Sequence, residues 1–83
     1  MRQLRAIGEI ARAGKIVNAA KALSLTPPAV TLQLKQTEEM LGISLFDRTP
    51  DGMRPTAAGL AAIETAQAIE EQLRVLADRI DAI

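Results

Sequence analysis

Polar and apolar residues follow a helical period from the start of the chain. In RQLRAIGEIARAG the apolar Leu4, Ile7, Ile10 and Ala11 fall at i, i+3, i+6 and i+7, one face of an amphipathic helix, with Gly14 as its expected C-terminal cap. The alanine-rich NAAKAL, residues 18–23, reads as a second, short helix with Val17 or Asn18 at its start, Asn18 being the better capping side chain. Its Ala19, Ala20 and Ala22 carry so little bulk that another backbone can approach closely. Ser24, Leu25 and Thr26 then make a three-residue connection, the length that joins two helices at a steep angle.

Pro27 and Pro28 look at first like a helix break, because a proline inside a helix removes a donor and clashes with the preceding turn. Helical spacing nevertheless resumes at once, with Val30, Leu34 and Leu41 expected to face inward. At the first two positions of a helix the missing N–H has no intrahelical partner, so the prolines open a helix instead of ending one. It runs from Pro27 to about Met40, with Thr26 as N-cap and Gly42 as the stop.

ISLFDR, TPDGM and RPT follow, a hairpin with Asp51–Gly52 expected at its tip. Thr56 caps the last helix, in which Ala62, Ala66, Ile69, Leu73, Leu76, Ile80 and Ile83 are spaced alternately by 4 and 3, a heptad seam. At 1.5 Å per residue a helix over 57–83 is roughly 40 Å long, more than so small a globule covers alone, so it is expected to protrude and pair. The fold class is mainly α: three helices and a two-stranded wing, a winged helix-turn-helix over 1–56, followed by a long dimerisation or linker helix over 57–83.

Composition narrows the chemistry. With 83 residues there is one domain at most. The chain has neither cysteine nor histidine, which removes disulfides, Cys/His metal sites and the usual general base; no catalytic group set, metal or cofactor is expected. No apolar run approaches the roughly 20 residues of a membrane span, and Arg5, Glu9 and Arg12 punctuate the first segment, so it is no signal peptide and a cytoplasmic location is expected. The net charge of zero conceals a division: residues 1–56 carry eight basic and five acidic side chains (+3), residues 57–83 two basic and five acidic (−3). A basic head and an acidic tail suit a DNA-facing unit joined to one that faces something else, although ordinary scatter of surface charge explains the split equally well.

AAKALSLTPPAVTLQLKQTEEMLGISLFDRTPDGMRPTAAG resembles the amino-terminal DNA-binding domain of LysR-type transcriptional regulators. The shared pattern is AA-x-x-L, a Ser/Thr before the recognition helix, Pro-Ala-Val and Gln within it, L-G-x-x-L-F-x-R after it, and T-x-A-G behind the wing. The resemblance implies a recognition helix over about 27–40 in the major groove and a wing over about 45–56 at the flanking backbone or minor groove. Carried over by position, the DNA contacts are Thr26, Pro27, Pro28, Thr31, Gln33 and Lys35, with Arg48 and Arg54 in the wing. Gln33 suits a base edge, Lys35 a phosphate, and the helix N-terminus adds free N–H groups and partial positive charge.

Departures from the family pattern also carry meaning. Pro27 stands where Gln, a base reader, is usual, which leaves an apolar contact such as one with a thymine methyl. Leu32 replaces an Arg, and Asp51 a basic wing-tip residue, so weaker affinity than is typical of the family is expected. Thr37 and Pro55 replace leucines.

The resemblance further implies a homodimer through antiparallel helices with contacts at Ala62, Ala66, Ile69, Leu73, Leu76 and Ile80, and double-stranded DNA bearing an interrupted inverted repeat as partner. It also implies a nucleoid-associated location, a tetramer as a further state of a full-length regulator, and a small-molecule effector bound by a domain that 83 residues cannot hold. Taken singly, each feature has a plainer explanation. Thr-Pro-Pro is more often a structural cap, Arg48 has Asp47 and Glu39 as candidate surface partners, and the seam fits any coiled coil. A helical protein-interaction module with weak DNA binding is therefore the second reading.

Overall fold

A computed structural model describes residues 2–83, with α1 (Arg2–Ala13), α2 (Ile16–Leu23), α3 (Pro27–Leu41), β1 (Phe46–Thr49), β2 (Gly52–Pro55) and α4 (Ala57–Asp81) in chain order. The expected mainly α architecture is present: three helices, a two-stranded antiparallel wing and a long last helix.

The core is built from the helical stripes. Ile7 and Ile10 of α1 meet Ile16, Ala19 and Ala20 of α2 and Val30 and Leu34 of α3, with Leu45 and Phe46 closing the side toward the wing. Each fully buried Ile or Leu contributes about 1.5–3 kcal/mol over its exposed state. The alanines of α2 let α1 and α3 pack close on either side. Thr37 is the buried polar member, and its hydroxyl donates to the Gln33 carbonyl at 3.0 Å, so burial leaves no unmet donor.

Three boundaries and one inward-facing position differ from the sequence expectation. α2 starts at Ile16, with Lys15 in the cap position and no side-chain capping bond, so Asn18 is an exposed residue inside the helix and not its cap. Burial of Ile16 in the core outweighs the local capping preference. Leu41 is 55% exposed; Thr37, one turn after Leu34, takes the inward place. The hairpin pairs Thr49 with Gly52, which puts Pro50–Asp51 at the tip and Gly52 in the strand. α4 ends at Asp81.

The wing is held by the backbone of the α1–α2 connection. Met53 N–H donates to the Gly14 carbonyl at 2.7 Å, and a Cβ on Gly52, whose φ is 129°, would lie 2.3 Å from the same oxygen. Only glycine lets the strand approach so closely. A second clamp fixes the chain between α3 and α4. Leu45 N–H donates to Glu38 Oε2 at 2.7 Å, while the Thr56 hydroxyl donates to the Ser44 carbonyl at 2.8 Å and accepts from Gly59 N–H at 3.0 Å. Gly59 is buried, and a Cβ there would come within 1.9 Å of the Leu45 carbonyl.

α4 changes character along its length. Ala58, Ala62 and Ile63 pack against the core, and Ala66 is buried in a groove shared with Gly8 and Ala11 of α1. After Ile69 every side chain is exposed. The helix, about 37 Å long at 1.5 Å per residue, gives the molecule its 49 × 26 × 21 Å outline.

Candidate nucleic-acid interface

The face of interest is organised by the start of α3. Thr26 adopts an extended backbone and its Oγ1 accepts from Ala29 N–H at 3.3 Å, with Pro27 and Pro28 filling the first two helical positions. The free N–H groups expected at this end are absent: Pro27 and Pro28 have none, Ala29 N–H is held by Thr26, and Val30 N–H donates to the Thr26 carbonyl at 3.2 Å, which leaves only the positive end of the helix dipole. Beside it runs an open concave strip of about 470 Å³ lined by Ile16, Val17, Pro27, Pro28, Thr31, Leu32, Lys35 and Arg48. Spacing explains the α3 members: Pro28, Thr31, Leu32 and Lys35 fall at i, i+3, i+4 and i+7, on the side opposite Val30, Leu34 and Thr37.

Five of the sequence-derived positions are thus brought together: Pro27, Pro28, Thr31 and Lys35 from α3 and Arg48 from β1. Thr26 stands at the same helix end, its hydroxyl engaged as the cap. Gln33 is placed elsewhere. It is half-buried, and two residues of helix put it about 160° around the axis from Lys35. Arg54 is also separated: it pairs in register with Asp47, whereas Arg48 pairs with Met53, so the two arginines project from opposite faces of the wing.

Lys15 is the basic residue that sequence reasoning missed. It lies in a second depression with Ile16, Val17, Arg48, Pro50, Gly52 and Met53, which extends the strip to the wing tip. Its signal was the start of α2: a helix beginning at Ile16 places Lys15 beside the returning strand. None of these cations is neutralised. The ion pairs among the described residues join Arg12 to Glu9 and Arg74 to Glu71, away from this face, so Arg48 pairs with neither Asp47 nor Glu39.

The seam on α4 is divided by packing. Ile69, Leu73 and Leu76 line an open apolar groove with Thr65, Ala68 and Gln72, and Ile80 lies exposed beyond it. Ala62 lies in another groove, shared with Leu4, Met40, Leu41 and Ile43. Ala66 faces its own α1 and is closed to a partner, a correction to the seam: the residues left open run through Ala62, Thr65 and Ile69 instead.

With this geometry in place, the profile described as "Bacterial regulatory helix-turn-helix protein, lysR family" matches residues 1–60. The chain belongs to the LysR family. Among its relatives is the HTH-type transcriptional regulator CbbR of Rhizobium meliloti (strain 1021), 57% identical over 82 residues, which are 99% of this chain and 26% of that protein. The small neutral protease regulatory protein of Streptomyces coelicolor is 39% identical over 82 residues, again 99% of this chain and 26% of the relative. Among solved structures, the CbnR_DBD-DNA complex superposes with a TM-score of 0.88 at 38% identity, covering 98% of this chain and 93% of that one. This LysR-family chain therefore spans about a quarter of the length of the curated relatives it matches. None of its described helices is long and apolar enough to cross a membrane.

Proposed function

We propose that this chain binds double-stranded DNA sequence-specifically as a dimer, with the N-terminal half of α3 in the major groove and the wing against the flanking backbone or minor groove. The observation that carries this reading is the convergence of Lys15, Lys35 and Arg48, none of them in an ion pair, around the capped start of α3. The 38% identical CbnR_DBD-DNA complex, of the same fold, adds support from a relative bound to DNA. Thr31 donates to a base edge or phosphate, Lys35 and Arg48 neutralise phosphates, and Arg54 serves the outer face of the wing.

Dimerisation follows from the asymmetry of α4. Its inner half offers small side chains, Ala58, Ala61, Ala62 and Thr65, and its outer half large ones, Leu73, Leu76 and Ile80. An antiparallel pair centred near Ile69 lays the large side chains of one copy over the small ones of the other; a parallel pair stacks large on large. In this arrangement the head extends over about 1–56 and the dimer helix over 57–83, with the inner turns of α4 serving both. In a full-length regulator a following effector domain and tetramer assembly place the module under small-molecule control, at the nucleoid in the cytoplasm.

Selection of bound sequences from random duplex DNA tests the proposal. The expected product is an interrupted inverted repeat, because a two-fold dimer presents two α3 helices to two half-sites. Failure of any sequence to enrich contradicts specific recognition and favours a helical interaction module.

A further inference from the structure

We infer that Val17 and Leu32, together with Pro27, form a wall that recognises thymine through its 5-methyl group, so that base discrimination by this chain is carried largely by apolar contact. The inference rests on the DNA-binding reading and names what that face selects.

Val17 is 53% exposed and Leu32 56% exposed, and both line the strip that holds Lys35 and Arg48. They come from different helices, α2 and α3, yet converge on the N-terminal end of α3 beside Pro27 and Pro28. Scattered single aliphatics on a surface are ordinary; a contiguous set of four apolar residues rimmed by two unpaired cations is not. The cations point to a polyanion. The major groove of DNA supplies one, and its edges carry a single kind of apolar group, the thymine methyl.

Polar alternatives within the strip are few. Pro27 and Pro28 have neither side-chain donors nor backbone N–H groups. Neither amide side chain of α3, Gln33 or Gln36, lines the strip. Thr31 is the one uncharged hydrogen-bonding side chain there, and a hydroxyl bonds to several bases without strong preference. Discrimination then falls to shape and to the apolar wall.

The test uses the selected duplex, resynthesised with 2′-deoxyuridine in place of each thymidine in turn, which removes the methyl and keeps every hydrogen-bonding group. At one or two positions per half-site the substitution is expected to weaken binding of the 83-residue chain about three- to fivefold per methyl. Leu32→Ala and Val17→Ala should bring the thymidine and deoxyuridine affinities together while leaving the salt dependence as it was. Both positions are exposed, so the fold survives, and the base substitution by itself requires no variant. Equal affinity for thymidine and deoxyuridine duplexes, or selected half-sites without thymine, overturns the inference while specific binding stands. Absence of any duplex binding overturns the DNA reading and this inference with it.

Discussion

Two regions of the molecule leave bulky aliphatic side chains in solvent, and they differ in what surrounds them. Beside α3, Val17 and Leu32 sit among Lys15, Lys35 and Arg48. On the outer half of α4, Leu73, Leu76 and Ile80 sit among Glu70, Glu71, Asp78 and Asp81, with Arg74 and Arg79 interspersed and Arg74 paired to Glu71 at 2.9 Å. Exposure is similar, 56% at Leu32 and 52% at Leu73, so exposure alone does not identify a partner. The rim does. An apolar strip with unpaired cations complements a polyanion, whereas a long stripe with mixed, net acidic flanks would be repelled by phosphate and complements another helix.

Breaking the α4 stripe should have the largest effect. Leu73→Asp or Leu76→Asp places a charge in the pairing surface of both copies, and a shift of the monomer–dimer equilibrium by at least roughly 100-fold is expected, read as monomers in sedimentation. Persistent dimers would place the pairing surface elsewhere. Removing the cations from the other region should leave sedimentation unchanged. Lys35→Ala combined with Arg48→Ala is expected to lower affinity for the selected duplex at least about tenfold at moderate salt.

Reversing an unfavourable charge at the wing tip tests the same contrast from the opposite direction. Asp51 lies at the wing tip, and Asp51→Lys should raise duplex affinity by about three- to tenfold through added phosphate attraction, measured by titration at fixed salt. The smallest effect expected is on stability. Thr26→Ala removes the bond to Ala29 N–H and should cost about 1 kcal/mol, a fall of about 4–8 °C in the thermal midpoint, without changing the oligomeric state.

Features set by local chemistry were legible in the sequence. Thr26 and Thr56 cap as their side chains require, the prolines open α3, and Gly14 and Gly42 take the left-handed conformation that closes a helix. What the sequence hid depends on contacts distant along the chain. Ile16 is drawn into the core and carries the start of α2 back past Asn18. Gly52 is pressed onto the Gly14 carbonyl and moves the hairpin tip to Pro50–Asp51. Periodicity also fails to say which partner a helical stripe meets. Ala66 satisfies the heptad on α4 yet turns to its own α1.

If the cation-rimmed strip beside α3 meets DNA phosphates, affinity must fall as salt rises. The most direct measurement is the affinity of the full chain for its selected duplex as a function of salt. With Lys35 and Arg48 of both copies on phosphates, a plot of log affinity against log salt should have a slope of about −3 to −4, shallower by about 2 in Lys35→Ala. A flat plot, or a slope that Lys35→Ala leaves unaltered, would contradict contact between the strip and phosphate.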